Sequence, residues 1–267
     1  MNLLEKRMVE LLLELKEKYN VSGVKAEFEA EGTRMEEAMR LKEVSLKAGL
    51  GLNLKIGGCE AIKDMFDAIS LGVDRIIAPM VETPYALKKY LSAVNLAFGN
   101  GQSEDVEYLI NLETITSFKN FDEMLSIPTI KGLHGIVIGR VDLSGSMGLT
   151  REHINSQEVL DIALAIAQKA KSAGLSVVVG GGVSVHSIPF FQAFPAGHID
   201  RFETRKVVFQ CPDALDNKEE AFLKAVEFEI LWLKNKKNYY GAIHREDDAR
   251  LEMMENRYLD SIKLLKQ

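Results

Sequence analysis

The sequence predicts an α/β protein built as a (β/α)8 barrel, a TIM barrel, with extra helices at both ends of the chain. Apolar runs typical of strands alternate with helical patterns about every 25 to 30 residues, and this alternation builds parallel sheets because each crossover needs a helix. The 267 residues suit a closed barrel of roughly 250 residues. No Gly-x-Gly-x-x-Gly turn follows the first predicted strand, which disfavours the open sheet of dinucleotide-binding proteins.

Seven strands are predicted with clear boundaries, one fewer than the eight strands of a (β/α)8 barrel. Either the first strand is missing or irregular, because the chain opens with an amphipathic helix over 2–19, or a further strand lies within 201–210. Residues 100–103 are predicted as a loop, and two long helices are expected near 217–237 and 245–266. The predicted strands are short runs rich in Val, Ile and Leu at residues 24–28, 52–56, 75–80, 107–112, 135–138, 177–179 and 199–208.

Composition narrows the class of protein. Hydrophobic residues make up 46% and charged residues 27% of the chain, as in ordinary soluble globular proteins. A net charge of −6 disfavours nucleic acid as a partner, and no apolar run predicts a signal peptide or a membrane span. Two cysteines form neither a disulfide framework nor a zinc cluster, so a cytoplasmic location is expected. We expect one domain over 1–267, with 217–267 as a C-terminal helical extension.

Charged residues and glycines gather where the predicted strands end. Active sites of such barrels lie at the C-terminal ends of the strands, so these side chains are candidates for one pocket. Each residue alone could be a solvated loop residue, but that interpretation fits the whole set less well. The candidates are Glu29, Lys55, Glu82, Glu113, Asp142, Glu203, Arg205 and the glycines at 180–182.

Glu113 and Asp142 form the strongest pair, because each comes shortly after an apolar strand. Carboxylates from two separate strands can share a divalent cation, and oxygen ligands suit Mg²⁺ or Mn²⁺. Gly139 would let the backbone approach a ligand closely. The amides of the loop at 143–148 could hold a carboxylate or an enolate oxygen.

Three motifs in the expected order resemble the HpcH/HpaI aldolase and citrate lyase β-subunit family. They are APMVETP at 78–84, NLET at 111–114 and IGRVDLSGSMG at 138–148, and the resemblance covers roughly 50–185. It implies a (β/α)8 barrel of the phosphoenolpyruvate/pyruvate-binding kind. It also implies an enzyme that makes or breaks a carbon–carbon bond next to a pyruvate or acetyl enolate.

The resemblance implies roles for several residues of this chain. Glu113 and Asp142 would be the metal ligands. The residues implied to bind substrate are Gly139, Arg140 and Val141, through amides near the substrate carboxylate, together with Glu82.

The chain departs from the family pattern at two places. Lys55 stands where the family usually has an arginine that contacts the enolate oxygen, and it could replace that charge, act as a Schiff-base nucleophile, or be structural. Residues 27–32 lack the histidine of the aldolase branch, so Glu29 or a lysine would have to move protons. Arg205 could supply a guanidinium to the site, or it could pair with Glu203 or another neighbour.

The predicted function is a divalent-metal-dependent carbon–carbon lyase or aldolase that acts through a pyruvate-type enolate. Its expected substrate is a small oxo acid or phosphoenolpyruvate, its cofactor Mg²⁺ or Mn²⁺, and its partner in assembly a second copy of the chain. Two alternatives remain open at this point. The barrel could have lost aldol chemistry and serve as a binding or assembly protein, or it could carry out phosphoenolpyruvate-dependent phosphoryl chemistry. The five histidines share no metal-ligand spacing and are interpreted as surface or capping residues.

Overall fold

Eight strands close into a barrel in chain order, which confirms the predicted fold class. The structure, a computed structural model, describes residues 1–99 and 105–265, so the loop predicted at 100–103 lies outside the described residues. The strands are β1 Val21–Glu27, β2 Gly51–Lys55, β3 Arg75–Ala78, β4 Glu107–Leu112, β5 Gly135–Gly139, β6 Ser176–Gly180, β7 Arg201–Glu203 and β8 Val207–Gln210.

The helices cover the outside of this barrel and bury its apolar outer face. Several begin with side chains that accept from otherwise unpaired backbone amides, such as Asn2 and Thr83. The helices are α1 Leu3–Tyr19, α2 Met35–Lys47, α3 Ile62–Leu71, α4 Pro84–Phe98, α5 Ile115–Lys119, α6 Phe121–Leu125, α7 Arg140–Ser146, α8 Gln157–Ser172, α9 Ile188–Gln192 and α10 Glu219–Leu265.

No strand is missing from the barrel. Of the two alternatives, the further strand within 201–210 is confirmed, and the absent first strand is wrong. β1 follows α1 and pairs in parallel with β2 along five residues. The single strand predicted over 199–208 is instead a hairpin of β7 and β8. Thr204 makes the turn, because its amide donates to the Val207 carbonyl at 2.9 Å and its hydroxyl accepts from the Val207 amide at 3.1 Å.

The hairpin changes the topology at one point of the barrel. β8 runs antiparallel to both of its neighbours, β7 and β1, whereas the other pairs are parallel. An antiparallel pair can be joined by a tight turn and needs no crossover helix. No crossover helix therefore separates β7 from β8, and the outer face of the hairpin is covered instead by α10, whose Phe222 packs on Phe202 and Phe209.

The two C-terminal helices predicted near 217–237 and 245–266 are one continuous helix, α10. Its first half packs against α1 and buries Phe228 and Trp232. No Pro interrupts the segment between the two predicted helices, and a single glycine in a helix, here Gly241, costs only about 1 kcal/mol.

The barrel interior has an apolar layer under a charged mouth. Ile77, Leu109, Val137 and Val178 point inward from β3, β4, β5 and β6 and form a separate buried cluster. This layer closes the barrel beneath the C-terminal ends of the strands, so a site at those ends has an apolar floor. Within the described residues, no helix is long and apolar enough to cross a membrane.

Candidate active site

A cavity of about 550 Å³ lies at the C-terminal ends of the strands. It brings together most of the side chains and glycines selected from the sequence. Arg140 and Glu82 are not among its lining residues. The predicted residues that line it are Glu29, Lys55, Glu113, Gly139, Val141, Asp142, Gly180, Gly181, Gly182, Glu203 and Arg205.

Glu113 is buried at the end of β4 and held by two hydrogen bonds. Its Oε1 accepts from the Met80 amide at 3.0 Å, and its Oε2 accepts from Asn111 Nδ2 at 2.6 Å. Gly139 on β5 makes room for this carboxylate, because a Cβ there would lie 2.6 Å from Glu113 Oε2. Burial raises the pKa of Glu113, although Lys55 and the two hydrogen bonds oppose that rise. The carboxylate is therefore fixed in one orientation before any ligand arrives.

The strained backbone at Met80 supplies a hydrogen-bond donor to Glu113. Met80 has φ of 50°, in the left-handed region that side chains other than glycine rarely adopt. This conformation directs the Met80 amide toward the Glu113 carboxylate. Strained backbone of this kind occurs most often at functional sites, where the surrounding structure holds it in place.

Lys55 lies between two carboxylates at the end of β2. Its Nζ is 3.0 Å from Glu29 Oε2 and 3.7 Å from Glu113 Oε2. Burial alone would lower the pKa of Lys55, but the charges of Glu113 and Glu29 and the hydrogen bond to Glu29 raise it further than burial lowers it. The ammonium therefore stays protonated at neutral pH. A Schiff-base nucleophile requires a depressed pKa, so this environment favours the interpretation of Lys55 as a fixed positive charge.

Lys25 is a buried residue of the site that the sequence interpretation missed. It points inward from β1, with its Nζ 2.7 Å from Glu203 Oε1 and 3.0 Å from Glu27 Oε1. Burial opposes its charge, but the two carboxylates more than offset burial and raise the pKa of Lys25. Burial also works against the charge on Glu27, yet Lys25 lowers the pKa of Glu27 overall. The available signal was alternation, because Lys25 and Glu27 occupy every second position of a strand whose other face packs on helices.

Arg205 forms ion pairs at the rim of the cavity. Its Nε lies 3.6 Å from Glu229 Oε1, and its NH1 lies 3.9 Å from Glu31 Oε1. Glu203, the first neighbour considered from the sequence, pairs with Lys25 instead. These contacts match the alternative in which Arg205 pairs with a neighbour.

Glu82 and the Arg140 side chain lie away from the cavity lining. Glu82 Oε1 accepts from Thr114 Oγ1 at 2.6 Å, so it joins the ends of β3 and β4. Arg140 is completely buried, and its guanidinium donates to the carbonyls of Gly180 and Gly181 at 3.1 and 2.9 Å. It also donates to Asn155 Oδ1 at 2.6 Å. Arg140 can therefore meet a ligand only through its backbone.

Gly181 lies against that backbone. It has φ of 84°, and a Cβ on it would lie 2.7 Å from the amide nitrogens of both Arg140 and Val141. Any other residue at this position would cover these amides. The Arg140 guanidinium, by holding the Gly181 carbonyl, sets the distance between the loops that follow β5 and β6.

The donors present fit a hard divalent cation. Among the described residues, no group of three or more His, Cys, Asp or Glu side chains could hold a metal. Mg²⁺, however, commonly binds one or two carboxylates and completes its shell with water and substrate oxygens. Glu113 and Asp142 line the same cavity, and the charge of Asp142 acts to raise the pKa of Glu113. Asn111 Oδ1 is buried beside Glu113 without a hydrogen-bond partner, so a further oxygen faces this region.

Replacing Arg140 by lysine tests the role of its guanidinium as a clamp. Burial lowers the pKa of Arg140 to about 9, so it is charged at neutral pH and depends on its buried acceptors. A lysine loses the fork of donors, and we expect Arg140→Lys to lower the free energy of unfolding by about 2–4 kcal/mol. Urea unfolding measures the loss, with the exposed Arg245→Lys as the control. Equal stability of both variants would contradict the clamp.

Comparisons with known proteins agree with the motifs. The family model of HpcH/HpaI aldolase/citrate lyase matches residues 54–182. Three solved structures share the fold at low sequence identity, and a search of curated proteins found no match.

The first of these structures is an HpcH/HpaI aldolase/citrate lyase family protein from Burkholderia cenocepacia J2315. It has 12% identity and a TM-score of 0.58, with 85% of this chain and 99% of that chain covered. The second is an HpcH/HpaI aldolase from Desulfitobacterium hafniense DCB-2, with 11% identity, a TM-score of 0.61 and coverage of 86% and 88%. Citrate synthase SbnG has 16% identity, a TM-score of 0.57 and coverage of 86% and 90%.

The matched segment contains the site itself, from Lys55 through Glu113 and Asp142 to Gly182. Residues 54–182 thus carry the sequence pattern of the HpcH/HpaI aldolase/citrate lyase family, which confirms the resemblance.

Proposed function

We propose that this protein is a divalent-metal-dependent carbon–carbon lyase or aldolase that acts on a small oxo acid, or on phosphoenolpyruvate, through a pyruvate-type enolate. One observation carries the proposal: the buried Glu113 carboxylate is held in place by Met80 and Asn111 in the cavity that Asp142 also lines. Glu113 and Asp142 would hold Mg²⁺ or Mn²⁺. A divalent cation bound there supplies a Lewis acid that draws negative charge from the carboxylate and keto oxygens of the substrate.

Lys55 supplies a second positive charge to the same region. Its ammonium is held by Glu29 and lies 3.7 Å from Glu113, so it is already oriented before substrate enters. A preorganised charge stabilises a developing enolate without reorganisation at the moment of reaction. Lysine has no bidentate fork, and it therefore fixes the enolate oxygen less rigidly than an arginine would.

The substrate carboxylate would lie against the backbone of Gly139, Arg140 and Val141. The absence of a Cβ at Gly181 leaves the Arg140 and Val141 amides uncovered on that side. This arrangement would set the anionic end of the substrate beside backbone donors at the C-terminal end of β5.

Glu29 is the proposed proton-transfer group. It lines the cavity, its side chain is partly exposed to solvent, and it contacts the Lys55 ammonium at 3.0 Å. A carboxylate in this position can take a proton from the substrate. His186, interpreted from the sequence as a surface residue, also lines the cavity.

Removing either proposed ligand should strongly weaken metal binding. We expect Glu113→Gln and Asp142→Asn each to weaken Mn²⁺ binding about 100-fold or more, because one carboxylate is lost from a pair. Glu82→Gln is the matched control, since Glu82 lies outside the cavity lining. Calorimetry or the electron spin resonance signal of free Mn²⁺ measures the affinity. Unchanged binding in both ligand variants would refute the site.

Metal affinity should depend on pH through Glu113. Burial raises the pKa of this carboxyl above 4.5, and only the carboxylate form binds a cation. Affinity should therefore be full above the raised pKa and fall as the pH drops through it, with a midpoint higher than that of an exposed glutamate. Mn²⁺ titrations between pH 4.5 and 8 measure this midpoint. A midpoint at or below 4.5 would contradict the burial argument.

Lys55 should be required for enolate formation. With Mg²⁺ present, pyruvate methyl protons should exchange with deuterium in ²H₂O, and Lys55→Met should slow this exchange by about 100-fold or more. Lys55→Arg keeps the charge and should retain much of the rate. Proton NMR of pyruvate measures the exchange. Metal and pyruvate binding without exchange or retro-aldol turnover would favour the binding protein, and phosphate release from phosphoenolpyruvate would favour phosphoryl chemistry.

A further inference from the structure

A second cavity, of about 460 Å³, lies outside the barrel between α1, α2 and α10. Its wall carries polar side chains from all three helices and aromatic rings from α10, and it shares no lining residue with the candidate active-site cavity. Its volume is in the range of small-molecule sites, which orient a ligand with a few polar groups on a largely apolar wall. The charges that these polar groups leave unpaired therefore indicate the kind of ligand that fits.

Two carboxylates of this second cavity already have partners. Glu5 and Glu37 are buried, and both line the cavity. Glu5 Oε1 accepts from Arg40 Nε at 2.9 Å, and Glu37 Oε2 lies 2.8 Å from Lys236 Nζ. Arg40 and Lys236 are the cationic side chains of the described lining, and each is engaged by a buried acid. The cavity therefore offers no free positive charge to an anionic ligand.

Glu36, the third carboxylate of the lining, has no such partner. It is exposed, and it forms no ion pair with a cation among the described residues. Its Oε1 lies 3.1 Å from the Tyr240 hydroxyl, but that hydroxyl lies closer to Glu37 Oε1, at 2.7 Å. A hydroxyl has a single proton to donate, so it cannot serve both carboxylates at once. The lining therefore keeps one uncompensated negative charge, that of Glu36.

Tyr239 adds an aromatic ring to the same wall. It is 53% exposed, and its ring packs edge-on against that of Tyr240 with the centroids 5.0 Å apart. Cations already pack on the rings of this region, since the Arg34 guanidinium lies 4.6 Å from the centroid of Tyr240. A cation close to the face of a tyrosine is stabilised by the charge distribution of the ring. An exposed ring and an unpaired carboxylate in one cavity favour a cationic ligand that also has an apolar part.

We propose that this second cavity binds a small organic ammonium, a protonated primary amine carried on an apolar body. The ammonium would donate to Glu36 and to the side-chain carbonyl of Asn238, which is exposed in the same lining. An ammonium has three donors and no acceptor, so it matches a wall whose free charged group is an acceptor. The apolar body would lie against Tyr239 and reach Trp232 at the cavity wall.

Fluorescence of the full-length chain tests the proposal directly, because Trp232 is its only tryptophan and lines this cavity. The probe is benzylamine, which is protonated at neutral pH, and benzyl alcohol and benzoate are its neutral and anionic analogues. We expect benzylamine to change the Trp232 emission with saturation, and both analogues to bind about tenfold or more weakly. No saturable signal with benzylamine, equal affinity for benzyl alcohol, or tighter binding of benzoate would overturn the proposal.

Two substitutions at exposed positions test the assigned contacts. Glu36→Gln keeps the shape of the side chain but removes its charge, so it should weaken benzylamine binding about tenfold or more. Tyr239→Leu should weaken it about threefold, through loss of the aromatic face. Glu17→Gln is the matched control, because Glu17 is an exposed acid of α1 that lies outside the cavity lining. Equal affinity for benzylamine in Glu36→Gln and in this control would refute the site.

Glu113→Gln separates this second cavity from the candidate active site. Because the two cavities share no lining residue, benzylamine should bind Glu113→Gln as tightly as it binds the natural sequence, with or without Mg²⁺. Loss of benzylamine binding in Glu113→Gln would locate the amine in the active-site cavity and overturn the proposal. A chain that binds benzylamine but no divalent cation would instead contradict only the proposed function.

Discussion

The structure depends on the pairing of lysines with carboxylates at the mouth of the barrel. Seven parallel strands bring their C-terminal ends to the same ring, and several of these ends carry acids. Ionised carboxylates that are buried without partners would destabilise the fold. Lys25 between Glu27 and Glu203, and Lys55 between Glu29 and Glu113, remove that cost. The network therefore gives the buried acids partners and sets the direction in which their carboxylates point.

The same pairing explains how the site could work with lysine in the position of an arginine. A lysine ammonium is a compact charge on a flexible stem, and free in solvent it would not hold one position. Contacts with Glu29 and Glu113 restrict Lys55 to the region between β1 and β4. The strained backbone at Met80 and the absence of a side chain at Gly139 also help to hold Lys55, because both fix the position of the Glu113 carboxylate that it contacts. Several unfavourable local choices thus converge on one carboxylate, which is typical of a functional site.

The β7–β8 hairpin links the site to the outside of the molecule. Its turn carries Arg205, which pairs with Glu229 of α10, and Lys206, which is buried against Glu31 and lies over the ring of Trp232. Any shift of α10 would therefore change the position of Arg205 and Lys206 at the rim of the cavity.

The sequence by itself determined the parts of this protein that depend on short segments. The position of Glu113 directly after β4, that of Asp142 shortly after β5, and the β/α alternation are visible in short windows of sequence, because strand and helix periodicities are local. The barrel and the candidate metal ligands could therefore be predicted, as could the family pattern that the comparison confirmed over 54–182. The fold class did not require knowledge of any long-range contact.

Only the tertiary structure decided the partners of the buried charges and the path of the chain after residue 200. Lys25 and Glu203 are 178 residues apart in sequence, and they meet only because the barrel closes β1 against β8 beside β7. Arg140 lies within the motif at 138–148, yet its guanidinium points into the loop after β6 and not into the cavity. Each of these outcomes depends on which side chains compete for the same buried space, and that competition does not exist until the distant strands have come together.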